Sequence, residues 1–385
     1  MEYISRIAGF SCLPIDEKVF FFAYARDYFC VYDVTQNKQE LIPINCNNYM
    51  ECNKQLYHLV LANNDWILFV PRVAEDIILY NVKKHDLKYI KIPTPRCVSD
   101  LRFKPDEAKF CSGFSHGEFF YLLGVSYPGI VKINCNTLET IVIDDWIDNF
   151  ERMVEKDYWG YISIGHYVSE GKAILPLACV PGFLFLDLTT NATDLQQVNI
   201  PYKDGMYGLS GDDNSGLWLT GVGENSNIIC NIANGAKKEL YVESENGDSH
   251  VFYPPILTSY GVFLVPIQHE RRIYRLDSDS NCFRVWKEYD ESEVVHLSGY
   301  SFMEPFVSGD KLILIDGWSF DWHALDLKNN TEESFCINVS DNPIENMFWK
   351  RMLSENARQG NINYEGALSL KVLLNSLKAR DIYKP

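Results

Sequence analysis

The sequence has no stretch approaching the ~18 apolar residues that a bilayer-spanning helix needs. Its first residues, Met1-Glu2-Tyr3-Ile4-Ser5-Arg6, lack the charged-then-apolar order of a secretory signal. Positive charge is scarce: 35 Lys and Arg stand against 52 Asp and Glu, a formal net charge of −17. A nucleic-acid backbone needs clustered cations, so neither nucleic acid nor membrane is an expected partner. The eleven cysteines contain no C-x-x-C and form an odd set, which fits reduced thiols in the cytoplasm better than a disulfide framework. No phosphate-cradling loop exists either: Gly221-Val222-Gly223-Glu224-Asn225 lacks the third glycine.

What is present is a period. An apolar residue, then Asp or Asn, then a polar turn recurs in Tyr32-Asp33-Val34, Tyr80-Asn81-Val82, Ile133-Asn134-Cys135 and Leu186-Asp187-Leu188. It continues in Cys230-Asn231-Ile232, Leu276-Asp277-Ser278 and Leu325-Asp326-Leu327, at steps of 48, 53, 53, 44, 46 and 49 residues. Short apolar runs precede each copy, such as Val19–Phe22, Trp66–Val70, Phe119–Leu123 and Leu312–Ile315. Such runs read as strands buried on both faces. A further strand follows each Asp or Asn and another precedes each run, giving four antiparallel strands in about 48 residues. The Asp or Asn side chain can accept bonds from nearby backbone N–H groups and start the turn. A sheet apolar on both faces must stack on copies of itself, and seven such units close radially. The expected fold is all-β, a seven-bladed β-propeller over residues 1–340 with a C-terminal helical extension over 341–385.

The order of apolar run, apolar-Asp-apolar and polar turn, over about residues 8–340, resembles the kelch, WD-repeat and related bacterial cytosolic propellers. The double glycine of kelch strands and the Gly-His and Trp-Asp dipeptides of WD repeats are absent. The resemblance therefore implies a fold and no activity.

Two segments stand outside the period. In the insertion Asp144–Gly160, the helical spacing of Trp146, Phe150, Met153 and Val154 predicts a short helix. The tail from Pro343 to Pro385 predicts one helix around Phe348–Met352 and a second striped by Leu370, Leu373, Leu374 and Leu377. The tail carries seven Lys or Arg and four Asp or Glu, opposite in sign to the rest. It is expected to pack on the ring, and a partner-binding helix is the alternative. The strands of each blade are contiguous, with Tyr3–Ile7 available as an extra outer strand.

Gly113-Phe114-Ser115-His116-Gly117 matches the serine-hydrolase G-x-S-x-G, but that chemistry needs a turn from strand into helix, and a strand follows here. Asp277-Ser278-Asp279-Ser280-Asn281 with Glu288 mimics a calcium loop, but Cys282 replaces the bending glycine, so an acidic turn is expected. No two of the eight histidines have the i, i+4 spacing of a helical zinc site. In propellers the loops between second and third strands, with those between blades, form the binding face. Here they interleave charge with aromatics, as a polar-ligand or peptide site does. The candidate binding residues are Arg26, Asp27, Arg72, Asp76, Tyr127, His269, Glu270, Arg271, Trp318 and Asp321, with Arg96, Asp100, Arg102, Trp159 and His296 between blades.

The expected function is a cytoplasmic binding module for a protein segment or a polar ligand such as a carbohydrate, with no cofactor. The alternative is an enzyme, a lyase, hydrolase or epimerase on a carbohydrate or modified peptide. There His269 or His296 would act as base beside Glu270, with or without a divalent metal.

Overall fold

A computed structural model describes residues 6–44, 55–96, 108–154, 160–202, 205–222, 226–243, 251–268, 270–290, 298–340 and 342–349. Two compact units result, one of Met1–Leu56 with Glu291–Pro385 and one of Tyr57–Asp290.

The first unit holds the first and seventh repeats. The first runs Gly9–Ile15, Lys18–Ala23, Tyr28–Asp33 and Lys38–Pro43, paired in chain order and antiparallel. The seventh runs Phe306–Ser308, Lys311–Ile315, Trp322–Asp326 and Thr331–Phe335 in the same order. The expected extra strand exists as Arg6–Ile7, and it pairs with Ile337–Asn338 as a separate two-stranded ribbon. The second unit holds repeats two to six, whose first strands include Tyr57–Asn63, Phe110–His116, Tyr167–Ser169, Met206–Asp212 and Ile256–Thr258. The second strands are the most buried, as their continuous apolar runs require. Trp66–Pro71, for example, is buried at every residue after the first.

The recurrent Asp or Asn closes the third strand. Asp33 Oδ1 accepts the Gln36 N–H at 2.8 Å, and Asn81 Oδ1 accepts those of Lys83 and Lys84 at 3.1 and 2.9 Å. Asn134, Asp187, Asp277 and Asp326 bond the backbone two or three residues on in the same way. Four residues after each of these six positions the chain takes a left-handed turn, at Asn37, His85, Leu138, Asn191, Asn281 and Asn330. Asparagine fills four of the six places, the residue whose side chain best tolerates that conformation. The fifth repeat differs. Asn231 donates across to the Ser215 and Leu217 carbonyls, and a two-residue Asn234-Gly235 turn closes the hairpin. Asp277 is thus an acidic turn residue, and the serine in Gly113–Gly117 lies in a strand that turns at Gly117 into another strand.

The expected insertion helix is Ile147–Met153. Trp146, Ile147 and Phe150 are buried with Ile143, Tyr161, Ile162 and the second and third strands of repeat four. One feature was not expected. The fourth strands of repeats five and six, Ala236–Val242 and Cys282–Glu288, pair with each other in parallel at Tyr241–Cys282 and Val242–Phe283. Repeats five and six therefore share one nine-stranded sheet.

Of the tail, residues 343–349 are helical, and the second expected helix lies outside the described residues. No two of the eight cysteines among the described residues are joined in a disulfide. No helix among them is long and apolar enough to cross a membrane.

Candidate functional site

Each repeat opens on a buried anchor that bonds the end of its second strand. In repeats two to seven these anchors are Tyr57, Phe110, Ile162, Met206, Phe252 and Phe302. Directly after the anchor the first strand carries more residues than its partner. His58 is the extra residue of repeat two, Cys111 of repeat three and Tyr207 of repeat five. The first repeat has the same irregularity across Phe10 and Ser11, between Gly9 and Cys12. In repeats four, six and seven the offset falls between an isolated bridge and the strand that follows. A β-bulge bends the strand and re-aims a side chain, and bulges recur beside binding sites. The same device is thus set at the loop end of every first strand.

In the second unit the bulges present an imidazole, a thiol and a phenol, with Ser163 at the corresponding place of repeat four. Those of repeats three, four and five are tied to one another through the backbone. The Cys111 thiol donates to the Ile162 carbonyl at 3.4 Å, the Ser163 hydroxyl to the Tyr207 carbonyl, and Ser112 Oγ accepts the Gly165 N–H at 3.0 Å. A parallel pairing of Ile164–Gly165 with Gly208–Leu209 continues the same stitching. Burial, and after it the charge of Arg72, pushes the His58 imidazole well below its usual range. His58 is therefore neutral at pH 7, able to donate and to accept. The arrangement offers hydrogen bonds in both directions from a backbone that cannot shift easily, which suits a polar ligand.

The residues expected from sequence are distributed differently. Arg72 is half-buried, and its charge acts on His58; its carbonyl accepts the Lys109 N–H at 2.7 Å. Asp76 pairs with Lys91 at 2.9 Å. Tyr127 is wholly buried, with its hydroxyl 2.8 Å from the Pro93 carbonyl and its pKa raised by burial. Glu270 accepts the Tyr274 hydroxyl and lies 3.8 Å from Arg272, while Arg271 donates to the Asp290 carbonyl and stands over the Tyr289 ring. The adjacent Glu270 and Arg271 thus face different partners.

In the first unit Arg26 bonds Glu345, on the tail helix, at 3.2 Å, and Asp27 is buried beside it. Trp318 and Asp321 share one loop, in which Asp316 Oδ1 accepts the Trp318 and Ser319 N–H groups at 2.7 and 3.1 Å. Phe320 takes the left-handed conformation there, and Asp321 pairs with Arg6. Between repeats, Arg96 pairs with Asp144 at 3.2 Å. His269, His296, Asp100, Arg102 and Trp159 lie outside the described residues. Among the described residues no group of three or more His, Cys, Asp or Glu is placed to hold a metal ion.

The bulge residues had a usable sequence signal. The anchors, with Gly9 in the first repeat, all stand 24 or 25 residues before the recurrent Asp or Asn. In repeats two, three and five the residue after the anchor is the extra one and keeps part of its surface exposed.

No family model and no curated protein matches the chain. Solved structures do. A catalytically inactive virginiamycin B lyase from Staphylococcus aureus with quinupristin superposes at a TM-score of 0.60, 12% identical, over 82% of this chain and 94% of that one. U3-55K gives 0.53 at 9% identity over 81% and 88%. Hsv2 of Kluyveromyces lactis gives 0.50 at 10% identity over 86% and 97%. At such identities the likeness establishes the fold, a β-propeller of four-stranded antiparallel sheets, and nothing of the activity.

Proposed function

We propose that the protein is a cytoplasmic binding module whose loop end receives a polar ligand or a protein segment. The observation that carries this is the bulge repeated after each anchor, which turns His58, Cys111, Tyr207 and their counterparts out of the pairing pattern. Bulges cost ladder hydrogen bonds, so a set in register across repeats calls for a use. Cross-repeat bonds hold the bulges of repeats three to five in place, which lowers the ordering cost of binding there. Within the second unit Arg72, half-buried, adds a positive charge that acts on His58. The free thiols support a reducing compartment.

A second reading, an enzyme on a carbohydrate or modified peptide, rests on His58 as a neutral imidazole that can hydrogen-bond a reacting group in either direction. The two are separated by one experiment. A library of peptides and oligosaccharides is screened by thermal shift against the wild type and the H58A/Y207A variant. A ligand that stabilises the wild type and not the variant, and is recovered unchanged, supports the binding module. A ligand recovered cleaved or isomerised by the wild type alone supports the enzyme. Equal shifts for both proteins would remove the bulge residues from the site.

A further inference from the structure

The bulge region of the seventh repeat holds a carboxyl whose charge no described group balances. Glu304 lies two residues after the anchor Phe302. Its N–H donates at 2.8 Å to the carbonyl of Phe10, in the bulge of the first repeat. Ser11, in that same bulge, hydrogen-bonds the carboxyl. The other oxygen, Oε2, is enclosed and has no hydrogen-bond partner among the described residues. Burial pushes the carboxyl up to about 7, with the Ser11 bond the one opposing cause. Cys12, the next residue of the strand, feels the same charge and is itself pushed up, first by burial. An enclosed carboxylate oxygen without a donor is costly, so the empty valence asks for one.

The Phe10 side chain belongs to an aromatic cluster. The Phe10 and Tyr300 rings stand 4.9 Å apart edge to face. Tyr24 meets Tyr300 at 6.5 Å and Phe320 at 6.0 Å, also edge to face. Tyr24 is fixed by its N–H on the Ala8 carbonyl at 2.8 Å. Tyr24, Tyr300 and Glu304 each keep part of their surface toward solvent. Ring faces and a carboxylate together favour a cation, and a net charge of −17 raises its local concentration.

We propose that Glu304, with Ser11 and the Phe10, Tyr24 and Tyr300 rings, forms a subsite for a primary alkylammonium group, carried by a lysine side chain or a free amine. Only one carboxylate oxygen lacks a hydrogen-bond partner among the described residues, because Ser11 occupies the other. A guanidinium binds best through a two-oxygen fork, whereas an ammonium is a point charge that one oxygen can serve. The terminal torsion of glutamate is soft, so the enclosed oxygen can turn out to meet the ligand. Without ligand the carboxyl turns in and holds a proton near neutrality; with ligand it ionises. This inference rests on the binding reading only in treating the bulges as ligand-facing.

The test uses the full chain with carboxyl-labelled glutamate, following the Glu304 resonance by NMR while n-butylammonium or n-propylguanidinium chloride is added across pH 5 to 9. Expected is a carboxyl titrating near 7 whose midpoint falls by at least one pH unit, a tenfold change in proton affinity, with butylammonium and by less with the guanidinium. E304Q should bind butylammonium at least tenfold more weakly while keeping its strand content. A Glu304 resonance indifferent to butylammonium, or an E304Q protein that binds it as well as the wild type, overturns the proposal. A stronger response to guanidinium overturns the choice of ammonium. Acetyl-lysine-methylamide matching butylammonium points to a peptide source, and a much weaker response points to a free amine. H58A/Y207A is assayed in parallel. Loss of the bulge row's own ligand there, with butylammonium binding intact, separates a failure of one reading from a failure of the other.

Discussion

Glu345, fully buried on the helix after the last repeat, receives the Arg26 guanidinium from 319 residues away at 3.2 Å. The Tyr28 hydroxyl and the Trp349 indole N–H, at 2.7 Å, bond the same carboxylate. The guanidinium carbon lies over the Trp349 and Phe348 rings at 4.7 and 5.1 Å. Burial alone would lower the Arg26 pKa, but the Glu345 charge and the hydrogen bonds around the guanidinium outweigh it and leave the pKa raised. Removing one member of such a pair strands the other charge without water. E345A should therefore lose about 3–5 kcal/mol in urea unfolding. In a double-mutant cycle with R26M, the coupling should exceed ~1 kcal/mol. Additive losses would mean that the two groups do not stabilise one another.

Two titrations pull stability in opposite directions. Glu304 holds a proton up to about 7, so between the ordinary carboxyl range and that pH the folded protein is protonated where the unfolded chain is not. Its contribution falls as pH rises through that window. His166, stacked on Phe114 at 4.7 Å, is pushed down to about 4 by burial. Between 6.5 and about 4 the unfolded chain is protonated where the fold is not, so this contribution is lost as pH falls. E304Q should flatten the decline toward neutral pH and H166F the decline toward pH 4, each by on the order of 2 kcal/mol in denaturant melts. A pH–stability profile unchanged by either substitution would contradict these assignments.

The turn-starting residues make a local prediction. Asn81 is buried and its Oδ1 holds two backbone N–H groups. N81A should cost about 1–2 kcal/mol, and N81D, which keeps the acceptor, should cost less. An N81A protein as stable as the wild type in the same melt would show that water replaces the lost bonds.

The period was legible in sequence because it rests on local chemistry. Val19–Phe22 cannot be other than a buried strand, and Asp33 makes its turn with residues two and three positions away. The Asp144–Gly160 insertion was legible for the same reason, since Trp146 and Phe150 share a helix face. The site was harder. A bulge is a mismatch in pairing register, so although the anchors before His58 and Tyr207 keep a fixed distance from the recurrent Asn, the mismatch itself shows only once their strands are laid against Trp66–Pro71 and Gly216–Gly221. The partner of a charged loop residue is set by distant chain: nothing near Arg26 announces Glu345, and nothing near Arg271 announces the Asp290 carbonyl. The loops were found, but which charges face a ligand and which face each other was not readable from residue type.

The parallel contact between Ala236–Val242 and Cys282–Glu288 has a consequence for recognition by strand addition. An outer strand normally leaves a row of N–H and C=O groups for a visiting peptide to extend. The fourth strands of repeats two, three and four end their sheets among the described residues. Lys88 and Lys91 guard the first of these with charge that discourages pairing. Repeats five and six need no such guard along Tyr241 and Val242, where the Glu243 N–H already reaches the Phe283 carbonyl at 2.9 Å. A peptide that docks by extending a sheet will find that stretch already taken by the protein itself.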